Sequence, residues 1–127
     1  MSDPRSDPRS DPNCIFCKIA RGQIPAKKIH DDDEVMAFHD IRPQAPVHFL
    51  IVPKAHIVNL YDAQAAHQAT LGRMLAIAGN LAREAGATDG FRTIINNGRV
   101  GHQEVYHLHM HVLGGPEPLG PMLLRRT

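Results

Sequence analysis

Short runs in which apolar and polar residues alternate make up much of this chain, and they predict half-buried β-strands. These strands are expected at residues 28–30, 35–39, 48–52, 91–96 and 107–113. Apolar residues at helical spacing instead predict a short helix over residues 14–21 and a long helix over residues 62–85. Because the strands are grouped before and after one long helix, the pattern predicts an α+β domain. It would contain an antiparallel β-sheet, one long helix and a short N-terminal helix.

The long helix has recognisable end signals and one small-residue face. Asp62 is a suitable N-cap, and Gly86 is a suitable residue to end the helix. Its buried face is expected to include Ala66, Ala69, Met74, Ala78, Leu81 and Ala85. These short side chains predict close packing on a sheet or on another helix.

The two ends of the chain differ in composition from its centre. Residues 2–12 repeat the unit Ser-Asp-Pro-Arg and contain no apolar side chain that could be buried. Since proline at every fourth position blocks a regular helix, residues 1–12 are expected to form a disordered tail. The 127-residue length favours one domain, expected over residues 13–115, with a C-terminal tail over residues 116–127.

Charge and hydrophobicity exclude several classes of partner. The formal net charge is +1, and no basic stripe of the kind used to bind nucleic acid is visible. No apolar run approaches the ~20 residues that span a bilayer, so no membrane partner is expected. The polar N-terminus lacks the apolar stretch of a secretory signal, which favours a cytoplasmic protein.

Three histidines at alternate positions, His107, His109 and His111, are the strongest candidates for chemistry. On a strand they would project from one face, while the residues between them point into the core. An imidazole titrates near pH ~6.5 and can act as nucleophile, proton donor or metal ligand. A plain solvated sheet face is the alternative, but Thr or Lys would serve that purpose equally well. The row therefore indicates a reactive site centred on His109.

The loop before these histidines carries side-chain amides and glycines. Asn96, Asn97, Gly98, Gly101 and Gln103 precede the histidine strand. Glycines let a backbone approach an anion closely, and amides can orient a phosphoryl oxygen. An ordinary hairpin connection explains the Asn-Gly pair equally well. Beside a nucleophile, however, such donors suit phosphoryl transfer.

These residues resemble the histidine-triad (HIT) superfamily, and most of all its Hint-like branch of purine nucleoside phosphoramidases. The family motif, three histidines alternating with apolar residues, is matched at residues 107–113. Further matching stretches are residues 15–19, 24–26, 37–41, 43–50 and 51–54. The resemblance extends from about residue 14 to residue 115.

The resemblance implies a fold, a reaction and a set of partners. It implies a homodimer that binds purine mononucleotides (AMP or GMP) and hydrolyses nucleoside 5′-phosphoramidates without a required cofactor. His109 would attack the α-phosphorus and form a nucleotidyl-histidine intermediate, which water then cleaves. His111 would hold the phosphate, the His107 carbonyl would fix the nucleophile's tautomer, and His48 would assist proton delivery to the leaving amine.

Other positions match the nucleotide-binding residues of the family. Asp40 would contact the ribose, Ile41 and Phe38 would border the base, and Asn96 and Gln103 would lie near the phosphate. Glu104, His102 and the tail after Gly115 depart from the family pattern, on the side where the leaving group is expected.

The pair Cys14 and Cys17 has two interpretations. In the first interpretation, both cysteines are small buried apolar residues on a short helix. The resemblance implies the other, a structural zinc ion held by Cys14, Cys17, His56 and His107. Two alternatives to the hydrolase also stay open: a nucleotide-binding or regulatory interaction module with weak catalysis, and a metal-dependent enzyme that uses the His-x-His pair.

Overall fold

A five-stranded antiparallel sheet with two helices forms the centre of the molecule. The structure is a computed structural model that describes residues 9–123. Its elements are α1 (Ile15–Ala20), β1 (Lys28–Asp31), β2 (Val35–His39), β3 (Val47–Pro53), α2 (Gln68–Glu84), β4 (Phe91–Ile95) and β5 (Met110–Gly114). The strand order is β1-β2-β3-β5-β4, and all pairings are antiparallel. The predicted α+β class is confirmed.

The central strand β3 is buried along its whole length because both faces of the sheet are covered. Phe49 and Ile51 point into the larger core, which packs against α2. Leu50 and Val52 point to the opposite face, into a smaller core that includes Phe16 of α1. The period of two along one strand thus divides the apolar residues between the two cores.

The long helix begins later than its sequence pattern predicts. Two short 3-10 turns, Leu60–Asp62 and Ala65–His67, occupy the first part of the predicted helix. The backbone is extended at Ala63, with ψ of 134°, so one continuous helix cannot form there. Ala66 and Ala69 are consequently exposed, whereas the predicted Gly86 stop is found immediately after the helix end, at φ of 108°.

The histidine strand also begins later than predicted. The first paired residue of β5 is Met110, which lies opposite Ile51 on one side and Ile95 on the other. Residues 104–107 form bends and residues 108–109 are unpaired in the sheet, and the Leu108 N–H donates to the Ile57 carbonyl at 2.7 Å. The alternation nevertheless continues, since Leu108, Met110 and Val112 all lie in the α2-side core.

Residues before position 13 make hydrogen bonds to the rest of the chain. Residues 1–8 of the predicted disordered tail lie outside the described residues. The Arg9 carbonyl accepts a hydrogen bond from the His56 N–H at 2.6 Å, and the Asp11 carbonyl accepts one from the Cys14 N–H at 3.2 Å. Residues 9–12 therefore contact the following part of the chain, and the domain boundary at residue 13 stays a prediction. At the other end, residues 116–123 are described and residues 124–127 are not.

Neither helix in the described part of the chain has the length and apolar character that crossing a membrane requires.

Candidate active site

The ring of His109 is held in one orientation by a backbone carbonyl and an aromatic side chain. Its Nδ1 lies 2.8 Å from the backbone carbonyl of His107. Because a carbonyl only accepts hydrogen bonds, Nδ1 carries the proton and Nε2 keeps its lone pair. The Phe16 ring packs edge-on against the His109 ring at 5.2 Å between centroids and fixes the ring plane. His109 thus has the tautomer of a nitrogen nucleophile.

A chain of hydrogen bonds fixes the tautomer of His111 as well. The backbone N–H of Gln44 donates to Nδ1 of His48 at 3.0 Å, so Nε2 of the neutral His48 ring carries its proton. This Nε2 lies 2.9 Å from Nδ1 of His111 and donates to it. His111 is left with its own proton on Nε2, available to an acceptor such as a phosphate oxygen.

Burial keeps these two imidazoles neutral near pH 7. Burial lowers the pKa of His48, and the nearby Asp40 carboxylate opposes that shift. Burial is also the largest cause of the lowered pKa of His111, which falls to about 4 with further contributions from His109 and His48. The negative charges of Asp40 and Glu104 act in the opposite direction on His111. The neutral tautomers derived above therefore apply at physiological pH.

His107 faces away from the other two triad rings. Its side chain is fully buried, and its Nε2 donates to the Pro53 carbonyl at 2.7 Å. Burial is the largest cause of its lowered pKa, which falls to about 4. Nδ1 therefore bears a lone pair, and it points toward two cysteines and a second histidine.

These side chains form a cluster of four metal-type donors, the Cys/His cluster: Cys14, Cys17, His56 and His107, with donor atoms all within 4.8 Å of one another. Nδ1 of His107 lies 3.2 Å from Sγ of Cys14, 3.6 Å from Sγ of Cys17 and 3.2 Å from Nδ1 of His56. A tetrahedral zinc site places two nitrogens ~3.4 Å apart, and a nitrogen and a sulfur ~3.6 Å apart. The four donors fit that geometry.

The outer nitrogens of both imidazoles in the Cys/His cluster also face acceptors. Nε2 of His107 donates to Pro53, as described, and Nε2 of His56 lies 3.8 Å from an Asp11 carboxylate oxygen. Such outer acceptors orient histidines that bind metals. Burial raises the pKa of the Cys14 thiol to about 11, so in the absence of a cation Cys14 stays protonated.

Gln103 is a buried residue whose side-chain amide forms hydrogen bonds with other groups of the protein. Its Oε1 accepts from Asn59 Nδ2 at 3.1 Å and from the Gly98 N–H at 2.9 Å. Its Nε2 donates to the carbonyls of Val58 and Val105, at 2.7 and 3.0 Å. In this conformation both amide protons are occupied, so Gln103 supports the loop before the triad, and its direct phosphate contact stays a prediction.

Asn59, which no sequence pattern indicated, is buried and donates to Gln103. No local signal identifies it, since it lies 44 residues from its partner. Asn96 is partly buried, and within residues 9–123 its side chain has no hydrogen-bond partner. The Asn96 side-chain amide is therefore available to donate to a phosphate, the contact predicted for it.

The residues predicted to contact the nucleoside differ in their exposure to solvent. One carboxylate oxygen of Asp40 accepts from the Arg42 N–H at 2.7 Å, and the other lies 3.5 Å from Nε2 of His48. Ile41 is 92% exposed on the same loop, whereas Phe38 is buried beside Phe16 in the smaller core. Ile41 is accessible to a ligand, the Asp40 side chain is 18% exposed, and Phe38 belongs to the smaller core.

The residues that depart from the family pattern lie on the surface of the adjoining loop. His102 has a positive φ of 61°, and its ring lies 3.5 Å from the Glu104 carboxylate. Both side chains are largely exposed.

Comparison with known proteins identifies relatives over most of the chain. The chain is 51% identical over 113 residues to the purine nucleoside phosphoramidase of Escherichia coli K12, covering 88% of this chain and 94% of that protein. It is 49% identical over 104 residues to the protein HitA of Neisseria gonorrhoeae, covering 82% and 97%. The crystal structure of a HIT family hydrolase from Legionella pneumophila superposes with a TM-score of 0.81 at 45% identity, covering 86% and 98%.

The sheet with its row of alternating histidines therefore defines a small α+β protein of the histidine-triad class. The HIT domain family matches residues 21–117, and the chain belongs to that family. The resemblance inferred from the sequence is confirmed.

Proposed function

We propose that this protein is a purine nucleotide-binding hydrolase that cleaves nucleoside 5′-phosphoramidates through a nucleotidyl intermediate on His109. The observation that carries the proposal is the bond from Nδ1 of His109 to the His107 carbonyl, which leaves Nε2 with a lone pair. The phosphoramidase name of the Escherichia coli relative supports the substrate class.

In the first step Nε2 of His109 attacks the α-phosphorus, and the phosphorus–nitrogen bond to the leaving amine breaks. A neutral imidazole brings no further negative charge to an anionic phosphate, and the adduct is labile enough to turn over. The positive charge that develops on the ring is stabilised through Nδ1–H by the His107 carbonyl.

His111 and His48 form a hydrogen-bond relay that points to the leaving amine. Nε2–H of His111 donates toward the phosphate and the departing nitrogen, while Nδ1 of His111 accepts the hydrogen bond from Nε2–H of His48 across 2.9 Å. The departing nitrogen takes its proton from solvent, because a neutral imidazole that lost its single N–H proton would become an anion. In the second step water attacks the phosphorus, the bond from phosphorus to His109 breaks, the proton of that water returns to solvent, and the nucleoside monophosphate leaves. His48 thus assists proton delivery by orienting Nε2–H of His111.

The same proposal assigns the nucleotide contacts. Asp40 accepts hydrogen bonds from the ribose hydroxyls, Ile41 borders the purine of AMP or GMP, and Phe38 supports that contact. Asn96 donates to the phosphate, and Gln103 holds the loop that carries it. The partly exposed position of Asp40 beside His48 supports the ribose assignment.

Intact-mass spectrometry during turnover of adenosine 5′-phosphoramidate tests the reaction. The expected spectrum contains protein carrying one adenylyl group, and His109→Asn abolishes that species. AMP binding without any adduct or product in the wild-type protein would instead favour the nucleotide-binding module.

We also propose a structural zinc ion in the Cys/His cluster, in addition to a reaction that requires no cofactor. The tetrahedral spacing of the four donors supports this assignment. Both cysteines are free thiols, and the proposal includes a reducing, cytoplasmic setting, because a disulfide would remove two ligands. Metal analysis of untagged protein tests it: about one zinc per chain is expected, and zinc far below stoichiometry contradicts it.

Finally, we propose a homodimer formed through the β4 edge of the sheet. Within residues 9–123 this strand pairs only with β5, and it exposes Phe91; α2 exposes a second large apolar side chain, Leu75. An edge strand with an apolar flank suits antiparallel pairing with a second copy. Light scattering should give a dimer mass that Phe91→Glu reduces to a monomer, whereas Ile41→Glu, on the far side of the sheet, leaves the mass unchanged. A wild-type monomer would contradict the proposal.

A further inference from the structure

His107 belongs to two sites at once. Its ring offers Nδ1 to the Cys/His cluster, where the nearest sulfur is 3.2 Å away. Its backbone carbonyl accepts the Nδ1–H bond that sets the tautomer of His109, at 2.8 Å. The metal-type donor and the acceptor for His109 therefore belong to one residue, and a movement of the His107 ring also moves its carbonyl.

Two further contacts connect the Cys/His cluster to the reacting ring. Phe16 lies between the two cysteines in the sequence, and its ring packs edge-on against both His107 and His109, at 5.6 and 5.2 Å. On the other side, the Leu108 N–H donates to the carbonyl of Ile57, the residue after His56. Each segment that holds His109 in place therefore also carries a donor of the cluster.

We propose that the Cys/His cluster positions the nucleophile: a tetrahedral divalent cation such as zinc, bound by its four donors, fixes His107 and thereby the tautomer and orientation of His109. The inference rests on the proposed reaction at His109 and goes beyond it, because it assigns the cluster a role in the chemistry as well as in stability. Cys14, Cys17, His56 and His107 are positioning residues in this sense.

The physical reason is the number of restraints on the His107 segment. Without a cation, the His107 ring is held by the Pro53 hydrogen bond, by packing against Phe16 and by the weak contacts of Nδ1 with two thiols and a second imidazole. Helix α1 has only six residues and cannot hold Phe16 in place by its own stability. Since a nucleophile displaced by ~1 Å loses ~100-fold in rate, small movements of His107 matter.

The nucleotide contacts depend less on the Cys/His cluster. Asp40 and His48 are placed by β2, β3 and the loop between them, and neither touches a donor of the cluster. The inference therefore predicts a slower chemical step with nearly unchanged affinity for AMP.

Cys14→Ser is the variant that separates these roles. Sγ of Cys14 accepts from the Cys17 N–H as the N-cap of α1, and a serine oxygen is a good N-cap. The change therefore removes one metal donor and keeps the helix cap. Ile19→Ala is the matched control, because Ile19 is buried in the same core as Phe16 and lies outside the cluster and the active site.

Three measurements are made on the zinc-loaded wild type, the chelator-treated wild type and both variants. Nitrogen-15 NMR of the histidine rings reports the tautomer of His109, single-turnover mass spectrometry reports the rate of adduct formation, and calorimetry reports AMP affinity. In loaded wild type and in Ile19→Ala, His109 is a single Nδ1–H tautomer. In Cys14→Ser and the chelated protein, both tautomers are populated, adduct formation slows by ~10-fold or more, and AMP affinity changes by less than ~2-fold.

The inference is wrong if Cys14→Ser and the chelated protein keep the single tautomer and the wild-type adduct rate, even when their melting temperatures fall. It is also wrong if Ile19→Ala disturbs the tautomer as much as Cys14→Ser does, because a general loss of stability then explains the effect. Should loaded wild type form no adduct at all, the proposed reaction fails, and the tautomer comparison still decides the inference. If Cys14→Ser does not fold, the chelated wild type gives the same comparison.

Discussion

Nε2 of His48 lies 2.9 Å from Nδ1 of His111 and 3.5 Å from a carboxylate oxygen of Asp40. One buried proton donor thus links the residue expected at the ribose with the residue expected at the phosphate. Because Nδ1 of His48 is already bonded to the Gln44 N–H, the donor cannot change its tautomer without breaking that bond. His48 acts on the substrate through His111.

Replacing His48 should therefore slow catalysis more than it weakens binding. His48→Ala removes the donor to Nδ1 of His111, and we expect kcat for adenosine 5′-phosphoramidate to fall by ~10- to 100-fold, with AMP affinity nearly unchanged. His48→Gln places an amide donor near the former Nε2 and should recover part of the loss. Equal kcat values for His48→Ala and the wild type would contradict the relay.

Replacing His109 separates binding from chemistry. His109→Asn keeps a polar side chain of similar shape but removes the nucleophilic nitrogen, so turnover should fall by ~1,000-fold or more while AMP still binds. Steady-state kinetics and calorimetry measure the two effects. A variant that retains wild-type turnover would show that another residue attacks the phosphorus.

Gln103 and Asn96 form a natural pair for testing structure against binding. Gln103→Ala leaves the Asn59 amide, the Gly98 N–H and two partly buried carbonyls without their partner, and we expect a loss of ~1–3 kcal/mol in the free energy of unfolding. Asn96→Ala removes no hydrogen bond found within residues 9–123, so it should change stability little and weaken AMP binding. Urea unfolding and calorimetry report these quantities, and the opposite ranking in stability would contradict the assignment.

The histidine row and the α+β arrangement could be predicted because they depend on local periodicity. A spacing of two fixes which side chains share a face, and Leu108, Met110 and Val112 do lie together in the core. The start of β5 at Met110 could not be predicted, because it depends on where the partner strands end. The extended backbone at Ala63, which delays the long helix, has no evident signal in its alanine-rich surroundings.

The residue types of the candidate site could be predicted from the sequence. The hydrogen bonds between them could not. The four donors of the Cys/His cluster were identified from a family resemblance, while their convergence within 4.8 Å is a property of the folded chain. The tautomers of His48 and His111 depend on the Gln44 backbone N–H, which no sequence pattern identifies. Gln103 was expected near the phosphate, and its bonds to Val58 and Asn59 come from a segment more than 40 residues away.

Asp40 should determine how well the protein recognises a ribose. If its partly exposed carboxylate accepts from the sugar hydroxyls, the wild type should bind AMP ~10-fold more tightly than 2′-deoxyadenosine monophosphate. Asp40→Ala should bind both nucleotides with similar affinity. Calorimetric titrations of two proteins with two ligands give this comparison, and an unchanged affinity ratio in the variant would remove Asp40 from the ribose site.

The lowered pKa of His111 predicts a loss of stability in mild acid. The pKa is about 4 in the folded protein and 6.5 for an unperturbed side chain, so between these values the unfolded chain binds a proton that the folded protein does not. The stabilising contribution is complete above pH ~6.5 and decreases as the pH falls toward ~4, by at most ~1.4 kcal/mol per pH unit. Urea unfolding of the wild type and His111→Asn across this range measures the slope. The slope should be shallower in the variant, and identical slopes would mean that His111 titrates normally in the folded protein.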